Sequence, residues 1–232
     1  MGTVLEEGCG KLGLPVDSAK LAALDSYIDS VMEFNQGYNL MKAESRDELA
    51  VNHVLDSLAP YSHLAHIIEE ISAKKIAAKK ITAKQDPSIS IADIGSGGGC
   101  PGIPLAVLFP DQDFTLVERM EKRCVFLEGT VRRMGLKNVK VLCTQAVNVP
   151  DESFDLEVFR AFHPFDKQTA TLLLRMLKKD GVMAAYKARA EKIQAEMDSI
   201  RFLIPSYTKI PLSVPFLEDH ERNLVVVRKN PN

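Results

Sequence analysis

With 232 residues, 46% of them hydrophobic, the chain can bury a sizeable core, which excludes an intrinsically disordered protein. A net charge of -2 and a pI of about 6.2 exclude a protein that is basic throughout, so any nucleic acid must be met by a local patch. No apolar run nears the roughly 18 to 20 residues of a membrane span. The leading MGTVLEEGCG lacks a basic and apolar signal pattern, and Glu6 stands where a myristoylation motif needs Ser or Thr, so a cytoplasmic protein with no membrane partner is expected.

Residues 17 to 34 carry Leu21, Leu24, Ile28 and Val31 at steps of three and four, which predicts an amphipathic helix capped by Asp17 or Ser18. A second helical pattern, from about Arg46 to Ala59, has Leu49, Val54, Leu55 and Leu58 on its apolar side. Between Glu69 and Ser88 the near-repeat ISAKKIAAKKITAK places Lys74, Lys75, Lys79, Lys80 and Lys84 with no acid among them. It reads as an insertion, helical at first, whose lysines form either a solvated face or a phosphate-contacting patch.

Beyond Pro87, short β-branched runs alternate with helical stretches. The expected strands are SISIADI, FTLVE, NVKVL, FDLEVF, GVMAAYKA, YTKIPL and NLVVVRK, with helices most clearly after the first, second and fifth. That alternation predicts an α/β fold with a mostly parallel sheet and helices on both faces, closed by an antiparallel pair at the end of the chain. Cys9, Cys100, Cys124 and Cys143 show no C-x-x-C pairing, which predicts four buried, reduced thiols. The five histidines show no metal-ligand spacing, so no metal is expected.

The first of these strands runs straight into GSGGGCPG, and a helix follows. A backbone that turns sharply and lets a ligand approach closely cannot carry Cβ atoms there. Gly97, Gly99 and Gly102 also fit the dinucleotide spacing, so glycines alone do not separate NAD from S-adenosylmethionine. Asp93 favours the latter, because a carboxylate in the mouth of the loop repels a pyrophosphate and suits an ammonium and a sulfonium. Glu118, ending the second strand, can accept ribose hydroxyls from either cofactor.

With these residues in view, the chain resembles the GidB family, also called RsmG, of bacterial small-subunit ribosomal RNA guanine-N7 methyltransferases. FNQGYNL (34–40) is similar to the family's W-N-x-x-Y-N-L, and VNHVLDSL (51–58) to V-R-H-I-L-D-S. DIGSGGGCPGIPL (93–105) is close to D-x-G-T/S-G-x-G-x-P-G-I-P-L. ERMEKR (118–123), Arg160-Ala161-Phe162, Lys187 and the closing NLVVVRK continue the match. The chain departs at Met41, Asn52 and Ala188, where the family usually has Thr, Arg and Gly. It also departs at Gln145-Ala146-Val147, where the family often reads R-A-E. Glu157 puts a charge inside an otherwise apolar strand, where burial without a partner is costly.

The resemblance implies a Rossmann-like class I methyltransferase: a seven-stranded, mostly parallel sheet with one antiparallel strand, plus N-terminal helices. The expected organisation is an N-terminal helical extension (1–64), the lysine-rich insertion or linker (65–88) and the S-adenosylmethionine-dependent core (89–232). The expected cofactor contacts are Asp93, Gly95, Ser96, Gly97, Gly99, Pro101, Gly102, Glu118, Arg119, Gln145, Ala146, Val147 and Arg160. Arg160 and Lys187, after the fourth and fifth strands, are the expected catalytic positions, acting by orientation and charge. Arg160 could instead form a salt bridge to Asp155 or Asp166. His53, Asp56, Ser57 and Arg123 are expected near the substrate, 16S ribosomal RNA or the small ribosomal subunit, although a structural hydrogen-bond cluster is the favoured reading of the first three. Two other functions stay open: the same chemistry on a small molecule or protein, and an NAD-binding or catalytically silent RNA-binding protein.

Overall fold

In a computed structural model the described residues are 2–79, 88–160, 162 and 164–229. The first helix, α1 (Val4–Lys11), leads into α2 (Ser18–Asn35), whose N-cap Asp17 accepts from the Lys20 amide at 2.8 Å. Leu24, Tyr27, Ile28 and Val31 form the buried face of α2, the spacing that its periodicity predicts. The second predicted helix comprises α3 (Arg46–Leu49), a π-helical turn (Ala50–Leu55) and α4 (Asp56–Leu58).

Next, α5 (Tyr61–Lys79) runs across position 65, where the insertion is expected to begin. Its Ile67, Ile68 and Ile71 are buried in the main core, so this stretch is part of the packed structure. Lys75 is not a free surface cation: its Nζ lies 2.9 Å from Asp155 Oδ2 and 3.3 Å from the Ser88 carbonyl. Lys80 and Lys84 lie outside the described residues.

The sheet then alternates with helices: β1 (Ser90–Ile94), α6 (Gly102–Leu108), β2 (Asp113–Glu118), α7 (Glu121–Met134), β3 (Val139–Cys143) and β4 (Phe154–Arg160). It continues with α8 (Lys167–Met176), β5 (Leu177–Lys187), α9 (Ala190–Ser199), β6 (Thr208–Leu212) and β7 (Arg222–Arg228). The seven predicted strands are all present, in the order β3-β2-β1-β4-β5-β7-β6. β7 runs antiparallel to both neighbours and the other pairings are parallel. This is the seven-stranded sheet with one antiparallel strand that the resemblance implies. α1 and α8 were not legible as helices. α8 is nonetheless well specified, because Asp166 caps it by accepting from the Thr169 amide at 2.7 Å and Ala170, Leu173 and Met176 are buried.

Each face of the sheet carries a core. One contains Ile91, Leu116 and Val158 with the buried faces of α2, α3 to α5 and α6, so the N-terminal helices share a core with the sheet. The other contains Phe159 and Met183 with α8 and α9.

The cysteines correct their expectation. Cys124, in the first turn of α7, is disulfide-bonded to Cys143 at the end of β3, and only Cys9 and Cys100 are buried free thiols. No motif announces the pair because it joins two elements across 19 residues, brought to a Cα separation of 5.7 Å by α7 packing back on the sheet. No described helix is long and apolar enough to cross a membrane. Among the described residues no group of His, Cys, Asp and Glu is placed to hold a metal ion.

Candidate active site

Strand order reverses between β1 and β4, and in open α/β sheets the crevice beyond the carboxyl ends at such a point is where ligands bind. A cavity of about 710 Å³ opens at that edge. Gly95 follows β1, Val117, Glu118 and Arg119 end β2, Thr144 to Val147 follow β3, and Phe162 follows β4. Arg123 of α7 and Asp166, Gln168, Thr169 and Leu172 at the start of α8 complete the lining.

The glycine loop is tied down from two sides. The amides of Gly95 and Ser96 donate to the Val117 carbonyl at 2.9 and 3.1 Å. Asp93 lies behind the loop, fully buried, and does not line the cavity; this corrects its expected place in the mouth. Its Oδ2 accepts from the Ser96 hydroxyl at 2.6 Å and the Gly102 amide at 2.9 Å, so it holds the two ends of the loop together. Burial pushes the Asp93 carboxyl up to about 6, against the opposing effect of those two hydrogen bonds. Oδ1 has no partner among the described residues. Ser96 is likewise buried, and Gly99 and Pro101 shape the loop without lining the cavity.

Gly97 has φ +58, a conformation that L side chains adopt at a cost. A Cβ there would meet only the Gly95 carbonyl at 3.8 Å and Arg123 Nη1 at 4.0 Å, so the backbone faces open space. Glu118 is 4% exposed and spans the turn: Oε2 accepts from the Gly97 amide at 2.9 Å, and Oε1 from the Arg119 and Met120 amides at 2.9 and 2.8 Å. A carboxylate has roughly four acceptor sites. Oε2 therefore keeps capacity toward the cavity, with Arg123 Nη1 3.9 Å away.

Arg160 is committed to internal partners. Nη1 lies 2.7 Å from Asp56 Oδ2 and 3.0 Å from the Asn52 carbonyl, and Nη2 lies 2.8 Å from His53 Nδ1. Its salt bridge is thus to Asp56, neither Asp155 nor Asp166. Asp56 Oδ1 also accepts from Arg222 Nε at 2.9 Å, so one carboxylate joins α4, β4 and β7. His53 Nε2 meets the Lys42 carbonyl at 3.1 Å, where it must donate, which leaves Nδ1 to accept from Arg160 and makes the ring neutral. Burial, then the charge of Arg160, lowers the His53 pKa in the same sense. Ser57 is fully buried, bonding back to the His53 carbonyl at 2.5 Å. Lys187 pairs with Glu196 at 2.8 Å and lies over the Phe165 ring.

Of the residues read from the sequence, Gly95, Glu118, Arg119, Gln145, Ala146, Val147 and Arg123 meet around the cavity, whereas Asp93, Ser57, Asp56, Arg160 and Lys187 hold its frame. Val117, Thr144, Phe162, Asp166, Gln168, Thr169 and Leu172 line it without having been singled out for it. The one usable signal was Asp166 as the N-cap of α8.

A family model, GidB, described as rRNA small subunit methyltransferase G, matches residues 20–225. The ribosomal RNA small subunit methyltransferase G of Treponema denticola is 34% identical over 239 residues, covering 97% of this chain and 94% of that protein. The protein of the same name from Treponema pallidum strain Nichols is 33% identical over 213 residues, covering 90% and 85%. Among solved structures, the tRNA (m1A58) methyltransferase TrmI of Aquifex aeolicus is similar with a TM-score of 0.47 and 16% identity, over 69% of each chain.

Proposed function

Because the chain belongs to the GidB family, we propose that it transfers a methyl group from S-adenosylmethionine to N7 of a guanine in small-subunit ribosomal RNA, in the cytoplasm. The observation that carries this reading is the open glycine loop joined to Glu118 at the cavity edge, within a chain matched to the family nearly end to end.

The residues present fit this cofactor. Gly97 leaves the space a Cβ would fill, Glu118 retains acceptor capacity for hydroxyl groups, and Val117, Ala146, Val147 and Leu172 offer an apolar lining for a flat heterocycle. Asp93 Oδ1, buried behind the loop with no partner among the described residues, is an acceptor in reserve that a bridging water could link to a cationic ligand. Gly95, Ser96, Gly97, Gly99, Pro101 and Gly102 would shape the holding loop, with Glu118, Arg119, Gln145, Ala146 and Val147 contributing around it.

S-adenosylmethionine supplies a carbon already activated by the sulfonium. Guanine N7 presents a lone pair and carries no proton, so no general base is needed and the protein's task is orientation and charge matching. The neutral, doubly hydrogen-bonded His53 accords with that. Arg160 and Lys187 act as positioning residues: Arg160 ties β4 to the N-terminal helices through Asp56, and Lys187 braces the end of β5 on Glu196. Arg119, exposed, and Arg123 are the cations set to meet RNA phosphate at the cavity mouth. In this reading the core of residues 89–232 carries the transfer, and the helices before it complete its frame. Calorimetry with S-adenosylmethionine and NAD, together with radiolabelled transfer to small subunits lacking the modification, tests it. Binding of the first cofactor alone and label in the RNA are expected. Binding of NAD, or label absent from the RNA, overturns it.

A further inference from the structure

Tyr38 belongs to the FNQGYNL stretch (34–40) that follows the buried part of α2. Exposed aromatic side chains cost solvation, yet this ring is 49% exposed and held rigidly. It stacks on Phe34 with centroids 5.2 Å apart and planes inclined by 22°, and Phe34 rests in turn on Phe126 at 4.9 Å. The loop carrying Tyr38 is clamped by Asn35, whose Nδ2 donates to the Met41 carbonyl at 2.7 Å and whose Oδ1 accepts from the amides of Leu40 and Met41.

The loop is also fixed against the cofactor loop. Tyr27 donates to the Gly98 carbonyl at 2.7 Å, and a Cβ on Gly98 would strike the Met41 side chain. Lys122 Nζ lies over the Tyr38 ring, 4.8 Å from its centre. Lys122 and the cavity-lining Arg123 share the first turn of α7, so the ring lies against the helix turn that borders the cavity. An exposed, pre-ordered ring beside a lysine ammonium matches a nucleotide, which offers a flat π-face and an anionic phosphate together.

We infer that Tyr38 is a stacking platform for an RNA base flanking the methylated nucleotide, with Lys122 and Arg119 meeting the adjoining phosphates; this rests on the ribosomal RNA reading above. The long Lys122 side chain gives up the ring to the base and follows the phosphate. Stacking of one base on an aromatic residue is sequence-tolerant, so the platform adds affinity and register, with the choice of target left to the cavity.

The test compares wild type, Tyr38→Phe, Tyr38→Ala and Lys122→Gln in methyl transfer to small subunits from cells lacking this protein, with S-adenosylmethionine affinity measured alongside. A single-stranded RNA oligonucleotide carrying 2-aminopurine reports stacking by quenching. Tyr38→Ala should raise KM for subunits about fivefold or more. It should also abolish the quench and leave cofactor affinity unchanged, while Tyr38→Phe stays near wild type. Lys122→Gln should lower the log-log salt slope of RNA binding by roughly 0.7. If wild type methylates subunits and Tyr38→Ala keeps the same KM, the platform is wrong and the substrate reading stands. If KM rises without any quench in wild type, the ring docks on protein and base stacking is overturned. Weakened cofactor binding in Tyr38→Ala would reduce the ring to a support of the glycine loop. If wild type labels no small-subunit RNA, the substrate reading fails and the platform falls with it.

Discussion

Replacing Glu157 with Met should make the protein more stable, and increasingly so as pH rises. Glu157 sits in the middle of β4, opposite Ala92 and Met183 of the adjacent strands, with no exposed surface. Neither of its carboxyl oxygens has a partner among the described residues. Burial holds its pKa well above the ordinary carboxylate range. Lys229 and Arg175 pull it down more weakly, for their cations are engaged elsewhere, on the Leu177 carbonyl and on Asp151. The folded state therefore keeps a proton that the unfolded chain releases above about pH 4.3. With the folded pKa raised, the stabilising contribution of that proton is complete below the unfolded pKa and is lost as pH climbs toward the folded one. Over that window wild type should lose about 1.4 kcal/mol per pH unit relative to the variant. Met keeps the side-chain length and removes two oxygens that lack partners among the described residues, so the variant is expected to be the more stable protein at pH 7. Urea unfolding of both proteins, followed by circular dichroism from pH 4.5 to 8, measures it. Asp93 titrates in both and cancels. Parallel stability profiles, or a less stable variant at pH 7, would refute the reasoning by showing a charged Glu157 with a partner.

Asp56→Ala leaves Arg160 and Arg222 without their shared carboxylate and should cost about 3 kcal/mol in urea unfolding; a loss under about 0.5 kcal/mol, typical of an exposed pair, would argue against the network. Asp93→Ala removes the acceptor that joins Ser96 to Gly102 and should weaken S-adenosylmethionine binding at least about tenfold by calorimetry. Unchanged affinity would show that the loop orders itself without it. Gly97→Val places a β-branched side chain at φ +58, in the space facing Arg123, and should eliminate detectable cofactor binding. A folded variant that binds normally would move the cofactor elsewhere.

The sheet was legible because its strands are short β-branched runs bounded by glycine and proline, a signal that lies within each segment. Asp17 could be placed as an N-cap for the same local reason. What escaped depends on residues distant in sequence. Asp56 is 104 residues from Arg160, and no spacing rule couples them. Cys124 and Cys143 meet only because α7 folds back on β3. The Asp93 carboxylate stands out in the sequence by its place before the glycines, yet its direction is set by the Gly102 amide, which the chain reaches only after the loop has turned. Lys75 looked like part of a solvated basic run until α5 brought it against Asp155 of β4. Glu157 stood out in the sequence as a charge in an apolar strand, and the structure shows it as a buried acid with no partner among the described residues.

Mass-spectrometric mapping of methylated guanines in small-subunit ribosomal RNA, from cells with and without this protein, tests the central claim most directly. One N7-methylguanine is expected to disappear when the protein is absent and to return with the wild-type chain, though not with Gly97→Val. Identical methylation maps in the two cell lines would contradict it.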